Sequence, residues 1–327
     1  MWEAVLPAFG LGRLVGRPRP VTGGWVNRVW CVEATNGLFA VKEMADSHKA
    51  DWTVQFQQAL RLELTAWDSG MVPMAEPVRT VTGDAIVDLP GSQSGPRLHR
   101  CHRWVTGEPC LEVQLGLDDA RSVGRSVAAV LNLRLGAGSS LEAFQSPGLD
   151  SFEATLDEAI GVGKAWARSL EGLTPGVNEL RHELAALRGA AVPLLLCHRD
   201  LDPKNTTRRP DGELSIQDWD YAGPMLPSAE LLGVALSFAG GPERPDDALV
   251  SAVLDSYRRA SGHDLSFAHA ATPLLSEGFN WLMFNVWLGL GHRTPPLPGG
   301  DRRMAWCRSS SSPGPASRTL RGDGPTG

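Results

Sequence analysis

The chain has 327 residues, 42% hydrophobic and 21% charged, which is enough material for one large domain or two lobes around a substantial core. Its formal net charge of −6 argues against the basic face of a nucleic-acid binder. From Arg293 onward six Arg stand against two Asp, so residues 1–292 carry about −10. An acidic body of that kind draws cationic small molecules, although a merely solvated acidic surface gives the same balance. The five cysteines (Cys31, Cys101, Cys110, Cys197, Cys307) are odd in number and form no C-x-x-C, so neither a zinc ribbon nor a disulfide framework is indicated.

The N-terminus MWEAVLPAFGLGRLVG has an acid at Glu3 and no basic stretch before a sustained apolar run, unlike a signal peptide. No apolar run reaches the roughly 18–20 residues of a membrane span. A cytoplasmic protein with no nucleic-acid or membrane partner is expected.

Residues 20–44 read as a β-hairpin: Gly23-Gly24, the alternating run VNRVWCVEA, a TNG turn and the strand LFAVKEM. Residues 51–68 place Trp52, Phe56, Leu60, Leu64 and Trp67 at helical spacing. Short strands are expected at Val78–Thr82 and Ala85–Leu89 around Thr82-Gly83-Asp84, and another in LHRCHRWVTGE. Beyond Gly107, residues 111–136, 151–170, 176–190, 225–240, 245–261 and 266–290 read as helical. The tail 293–327 is rich in Pro, Gly, Ser and Arg and is expected to be disordered. The reading is α+β: a small β-rich lobe over 1–105 and a larger helical lobe over 106–292.

The helices are interrupted by CHRDLDPKNTTRRPDGELSIQDWDYAGP, Cys197–Pro224. AVPLLLC and ELSIQDWD are expected to form a hairpin whose loops bring Asp200, Asn205 and Asp218 to one point. A carboxylate with an amide oxygen is hard-oxygen ligation suited to magnesium. A second carboxylate beside it can take a proton from a hydroxyl. The octet His198 to Asn205 matches the kinase loop H-R-D-x-x-x-x-N at every fixed position. Upstream stand, in order, the glycine pair, Lys42 on a strand and Glu63 on a helix. His198 is read as a residue that orders the loop. Asp202 and Asp220 could bind a cationic group or a second metal, or cap a turn. GVGK at Gly161–Lys164 lacks the first Gly and the Ser/Thr of a phosphate loop and is set aside.

With GGWVNRVW, AVK, HRWVTGE, CHRDLDPKN, IQDWDYAGP and NWLMFNVWLGLG, residues 20–290 resemble the aminoglycoside phosphotransferase and choline kinase group. These are small-molecule kinases with a two-lobed protein-kinase-like fold. The resemblance implies that Asp200 is the catalytic base and that Asn205 and Asp218 hold magnesium. It implies that Lys42 meets the ATP α/β-phosphates and pairs with Glu63. Gly23, Gly24 and Asn27 would cover the nucleotide, and His102–Trp104 would lie beside the adenine. Many members have Gly where this chain has Arg199, and Glu230 stands where an Asp usually anchors the helical lobe. The implied reaction is transfer of the ATP γ-phosphate to a hydroxyl of an aminoglycoside-like antibiotic. The alternative acceptors are choline, an amino alcohol, homoserine or a sugar. A protein Ser/Thr kinase ranks low, because Asp218 to Pro227 is too short for an activation loop. A non-catalytic nucleotide-binding module is disfavoured by the intact Lys42, Asp200, Asn205 and Asp218.

Overall fold

A computed structural model of the chain describes residues 1–21, 27–44, 50–92, 96–137, 146–190 and 192–292. Gly23, Gly24 and the tail from residue 293 lie outside the described residues.

The N-terminal part contains α1 (Trp2–Ala8), β1 (Arg19–Val21), β2 (Arg28–Ala34), β3 (Gly37–Glu43), α2 (Ala50–Ser69), β4 (Pro77–Val78), β5 (Val87–Pro90) and β6 (Pro96–Arg103). These strands form one sheet in the order β1-β2-β3-β6-β4, with β5 also on β6. The expected hairpin is present as β2 and β3, paired antiparallel with Val29 opposite Lys42. The two strands expected around Gly83 do not pair with each other; each lies on β6. The register of β3 on β6 sets Lys42 opposite Arg100 and Ala40 opposite His102. Opposed residues share a face. Lys42, Arg100 and His102 therefore line one side of the sheet. Val32, Phe39, Val41 and Cys101 line the other, where they bury Val5 of α1 and Phe9 just after it.

Helix α2 buries Phe56, Ala59, Leu62, Glu63 and Ala66, while Trp67 is 38% exposed. The buried face is thus turned about one residue from the expected stripe. The two alanines let the helix backbone come close to its neighbours, so small residues rather than Trp67 mark the contact. The buried residues of α2 join the same core as Ile216, Trp219 and Leu231. The loop after α2 is stitched to the C-terminal part by Ala75 N–H to Ile216 O at 3.0 Å and Ile216 N–H to Pro73 O at 2.8 Å.

The C-terminal part contains β7 (Glu108–Pro109), α3 (Leu117–Asn132), α4 (Pro147–Asp150), α5 (Phe152–Gly161), α6 (Ala167–Glu171) and α7 (Thr174–Gly189). It continues with β8 (Leu195–Cys197), β9 (Thr206–Arg208), β10 (Leu214–Ile216), β11 (Gly223–Met225), α8 (Pro227–Phe238), α9 (Asp247–Ser261) and α10 (Ala271–Leu290). The helix expected over 151–170 is broken at Gly163, which adopts φ 71°. Lys164 of the discarded GVGK string donates to Gly289 O at 2.7 Å, so it closes a helix end. The hairpin expected between AVPLLLC and ELSIQDWD does not form. Strand β8 pairs with β11, and β10 pairs with β9. The loop from His198 to Asn205 therefore leaves one two-stranded ladder and enters another. Among the described residues, no helix is long and apolar enough to cross a membrane.

Glu230 of α8 fixes the start of that loop. Both its carboxylate oxygens accept from Arg199 N–H, at 3.1 and 3.0 Å. Burial pushes the Glu230 carboxyl from 4.5 up to about 7, against the pull of those bonds. A raised carboxylate pKa stabilises the fold at low pH, and the contribution is lost as pH rises from the unfolded value to the folded one.

Two stability predictions follow from these packings. A Cβ on Gly124 of α3 would lie 2.4 Å from Val253 O and 2.9 Å from Ser256 Cβ of α9. Gly124→Ala should therefore cost about 1–3 kcal/mol in denaturant unfolding; an unchanged midpoint would mean that the two helices move apart freely. For Glu230→Gln, the unfolding free energy should gain about 2–3 kcal/mol on wild type between pH 5 and pH 8. A gap independent of pH would show that Glu230 is already ionised at pH 5.

Candidate active site

The loop after β8 carries its side chains in a locked arrangement. His198 is fully buried. Its Nε2 donates to Gln217 O at 3.1 Å and its Nδ1 accepts from Asp200 N–H at 3.3 Å. Burial lowers its pKa to about 4, so the imidazole is neutral and serves as a spacer between the loop and the Asp218 segment. Asp202 caps the short 3₁₀ helix Pro203–Asn205 by accepting from Lys204 N–H at 2.9 Å and Asn205 N–H at 3.3 Å. Of the roles open to Asp202, this is the turn-capping one.

Asp200 and Asn205 are in direct contact. The Asn205 amide nitrogen donates to Asp200 Oδ2 and to Asp200 O, both at 2.7 Å. Its amide oxygen is the atom left to meet a cation. Burial raises the pKa of Asp200, which makes it a better proton acceptor, and Lys204 opposes that rise. Lys204 Nζ stands 2.6 Å from Asp200 Oδ1 and 2.5 Å from Asp202 Oδ2.

Two non-glycine residues here adopt left-handed backbone: Arg199 with φ 64° and Asp218 with φ 58°. Such positions cost on the order of 1–3 kcal/mol and persist only where their surroundings hold them. Glycine would adopt that conformation at position 199 without strain; Arg199 needs support. Arg199 is held by Glu230 at its backbone and by Glu277 at its guanidinium, which stacks 4.5 Å above the Tyr221 ring. Tyr221 donates to Glu277 Oε2 at 2.6 Å, so α10 is fastened to the loop.

Across from the loop lies the charged face of the sheet. Lys42 Nζ meets Asp218 Oδ1 at 2.7 Å and Asp220 Oδ2 at 2.8 Å. Burial works against the Lys42 ammonium, but the two aspartates outweigh it and leave its pKa raised. The expected Lys42–Glu63 pair is not formed. Glu63 instead pairs with Arg100 and accepts from His102 Nε2 at 2.7 Å. The reason is the register: β6 sets Arg100 beside Lys42, and the longer guanidinium reaches the buried α2 carboxylate. His102 is turned toward Glu63 and kept neutral by burial and by the nearby Arg100 and Lys42, with a pKa of about 3. Trp104 is half-buried, and its backbone N–H donates to Leu38 O at 2.9 Å. Asn27 donates its amide to Asp220 Oδ2 at 2.8 Å. Gly23 and Gly24 fall outside the described residues.

The sequence reading did not single out Arg100, Lys204 or Glu277. Arg100 had a signal: in LHRCHRW, Arg and His alternate with Cys101 on a strand, so two polar side chains share one face. Lys204 and Glu277 had none beyond charge.

Among the described residues, no three His, Cys, Asp or Glu side chains form a metal cluster. The Asn205 amide oxygen and the exposed Asp218 carboxylate are nonetheless the hard oxygen donors that magnesium takes, with its other positions left to water and phosphate oxygens. The donor set fits such an ion.

The model of the phosphotransferase enzyme family matches residues 17–264. No curated protein sequence matches the chain significantly. Among solved structures, one of amicoumacin kinase hAmiN with AMP-PNP, Ca2+ and Ami is 13% identical, with a TM-score of 0.63 over 94% of this chain and 90% of that one. A spectinomycin phosphotransferase with ADP and spectinomycin is 10% identical, with a TM-score of 0.64 over 95% and 93%. The choline kinase LicA from Streptococcus pneumoniae is 15% identical, with a TM-score of 0.59 over 94% and 95%. At these identities the structures establish a shared kinase-like fold. The family match spans most of the sequence, from before β1 to beyond α9, and the chain therefore belongs to the phosphotransferase enzyme family as a small-molecule phosphotransferase.

Proposed function

We propose that the chain transfers the γ-phosphate of ATP to a hydroxyl of a small molecule, with magnesium, and that the acceptor is an aminoglycoside-like antibiotic. The observation that carries this reading is the contact of Asp200 with Asn205 at 2.7 Å on one loop, facing the Lys42–Asp218 pair. Asp200 is the base. It accepts the proton of the acceptor hydroxyl as the oxygen attacks phosphorus, and partial burial suits it to that task. Asn205 and Asp218 would hold magnesium, which when bound neutralises charge on the phosphate oxygens. Lys42 meets the α/β-phosphates. Asn27, with Gly23 and Gly24, would contribute to nucleotide binding, and the His102–Trp104 segment would border the adenine. Glu63 contributes to the nucleotide site through Arg100 rather than through a direct bond to Lys42. The chain's main work is positioning and charge compensation.

The acidic balance of residues 1–292 favours a cationic acceptor. An antibiotic is supported by the amicoumacin and spectinomycin enzymes that share the fold. Choline or an amino alcohol is the second reading, supported by the choline kinase and by an aminopropanol kinase with the same fold.

The test is ATP consumption with magnesium across aminoglycosides, other antibiotics, choline, amino alcohols, homoserine and sugars. Asp200→Asn should lower kcat by about 100-fold or more while ATP still binds. Near-normal turnover in that variant would remove Asp200 as base. Turnover confined to choline or amino alcohols would replace the antibiotic reading with the second one. Asp218→Ala should weaken ATP binding in magnesium but change it little in EDTA; equal weakening in both would remove Asp218 as a metal ligand.

A further inference from the structure

Asp220 receives three donors from the N-terminal part. Its Oδ2 accepts from Lys42 Nζ and Asn27 Nδ2, each at 2.8 Å, and its Oδ1 pairs with Arg100. Arg100 is itself 2% exposed. It is clamped between Glu63, which is fully buried, and Asp220, with its guanidinium 5.3 Å from the centre of the Phe56 ring. Glu63 and Phe56 both sit on α2, whose following loop is bonded to β10. The chain of contacts thus runs from α2 through Arg100 and Asp220 to Lys42.

We propose that Arg100 and Asp220 are the positioning residues for Lys42, and that Glu63 acts on that lysine only through them. The inference rests on the reading of Lys42 as the phosphate-binding cation. Its physical basis is a division of labour between two acids. Lys42 touches both Asp218 and Asp220, but the two are not equivalent. The Asp218 side chain is 45% exposed, with Lys42 as its charged partner. The Asp220 side chain is 14% exposed and is fixed by Arg100 and Asn27 as well. When a phosphate competes for the ammonium, Asp218 is the partner that can let go. Asp220 stays, and holds the Lys42 side chain extended toward the cleft. A direct Lys–Glu pair would do this in one contact. Here the Arg100 guanidinium occupies Glu63, and its fork passes the restraint on to a second carboxylate.

The test is direct ATP binding in the presence of magnesium, measured by calorimetry on the full chain, with a double-mutant cycle. Lys42→Ala should raise the ATP Kd by tenfold or more. Asp220→Asn keeps the side-chain volume, and should raise it about tenfold while lowering kcat less than fivefold. Glu63→Gln should raise it about threefold in the wild-type background and leave it unchanged in the Asp220→Asn background. Lys42→Ala with Asp220→Asn should bind no more weakly than Lys42→Ala alone. Thermal melts accompany each variant, so that a fold defect is seen as one. Should Asp220→Asn not fold, the pair Glu63→Gln and Arg100→Lys takes its place, and their effects should again be non-additive. If Lys42→Ala weakens ATP binding but Asp220→Asn does not, the positioning role is overturned while the nucleotide site stands. If Glu63→Gln costs the same with and without Asp220, Glu63 acts independently and the relay is overturned. If Lys42→Ala leaves the Kd unchanged, the nucleotide reading falls and the relay falls with it.

Discussion

The arrangement of the charged cluster depends on the carboxylate of Asp220, which takes donors from two strands and from the segment before them. A buried charge is tolerated only when its partners repay the loss of water, and a broken pair costs more than an intact one contributes. Asp220 meets that condition with two cations and an amide. Burial opposes its ionisation, yet the Lys42 and Arg100 cations outweigh it and hold its carboxyl below the usual carboxylate range. Lys42 and Arg100 set two positive charges against the three negative charges of Glu63, Asp218 and Asp220, with His102 neutral. The cluster is left with one excess negative charge, and Asp218, the most exposed of the three acids, presents it to solvent.

The loop from His198 to Asn205 is constrained by a different device. Arg199 and Asp218, both at the site, adopt left-handed backbone. Each is held by contacts that reach beyond its own segment. Arg199 is gripped by Glu230 and Glu277 from two helices, and Asp218 by Lys42 from the sheet. Strain of this size is stable only if its supports are themselves rigid, and both helices are packed into the main core. The aromatic ring of Tyr221 fills the space under the Arg199 guanidinium and carries the same restraint to α10.

These supports also explain what could be read from the residues alone. The hairpin carrying Lys42 was legible because β2 and β3 are long enough for alternation to show and are joined by a two-residue turn. The loop from His198 to Asn205 was legible because its roles lie within eight consecutive residues. Pairings between three-residue strands were not, since such strands carry almost no register information; β8 takes β11, beyond the loop, and not β10. The Arg100–Glu63 pair was hidden for a related reason. It follows from Lys42 standing opposite Arg100, a register fixed between distant strands rather than by either one's sequence. In α2 the large apolar residues misled, because close packing used Ala59 and Ala66 and left Trp67 at the surface.

The two lysines of the cleft occupy corresponding positions in this scheme. Lys42 pairs with Asp218 as well as with Asp220, and Lys204 pairs with Asp200 and Asp202. Each therefore lies on an acid that the proposed chemistry needs, one to meet a metal ion and the other to take a proton. An incoming phosphate is a competing anion for the same ammonium groups. On the proposed reading, a phosphate that competes for Lys42 loosens its pair with Asp218 and leaves that carboxylate to the metal. Lys42 needs Asp220 in order to move without being lost from the cleft. Lys204 lies on the one-turn 3₁₀ helix that Asp202 caps, with its ammonium beside Asp200.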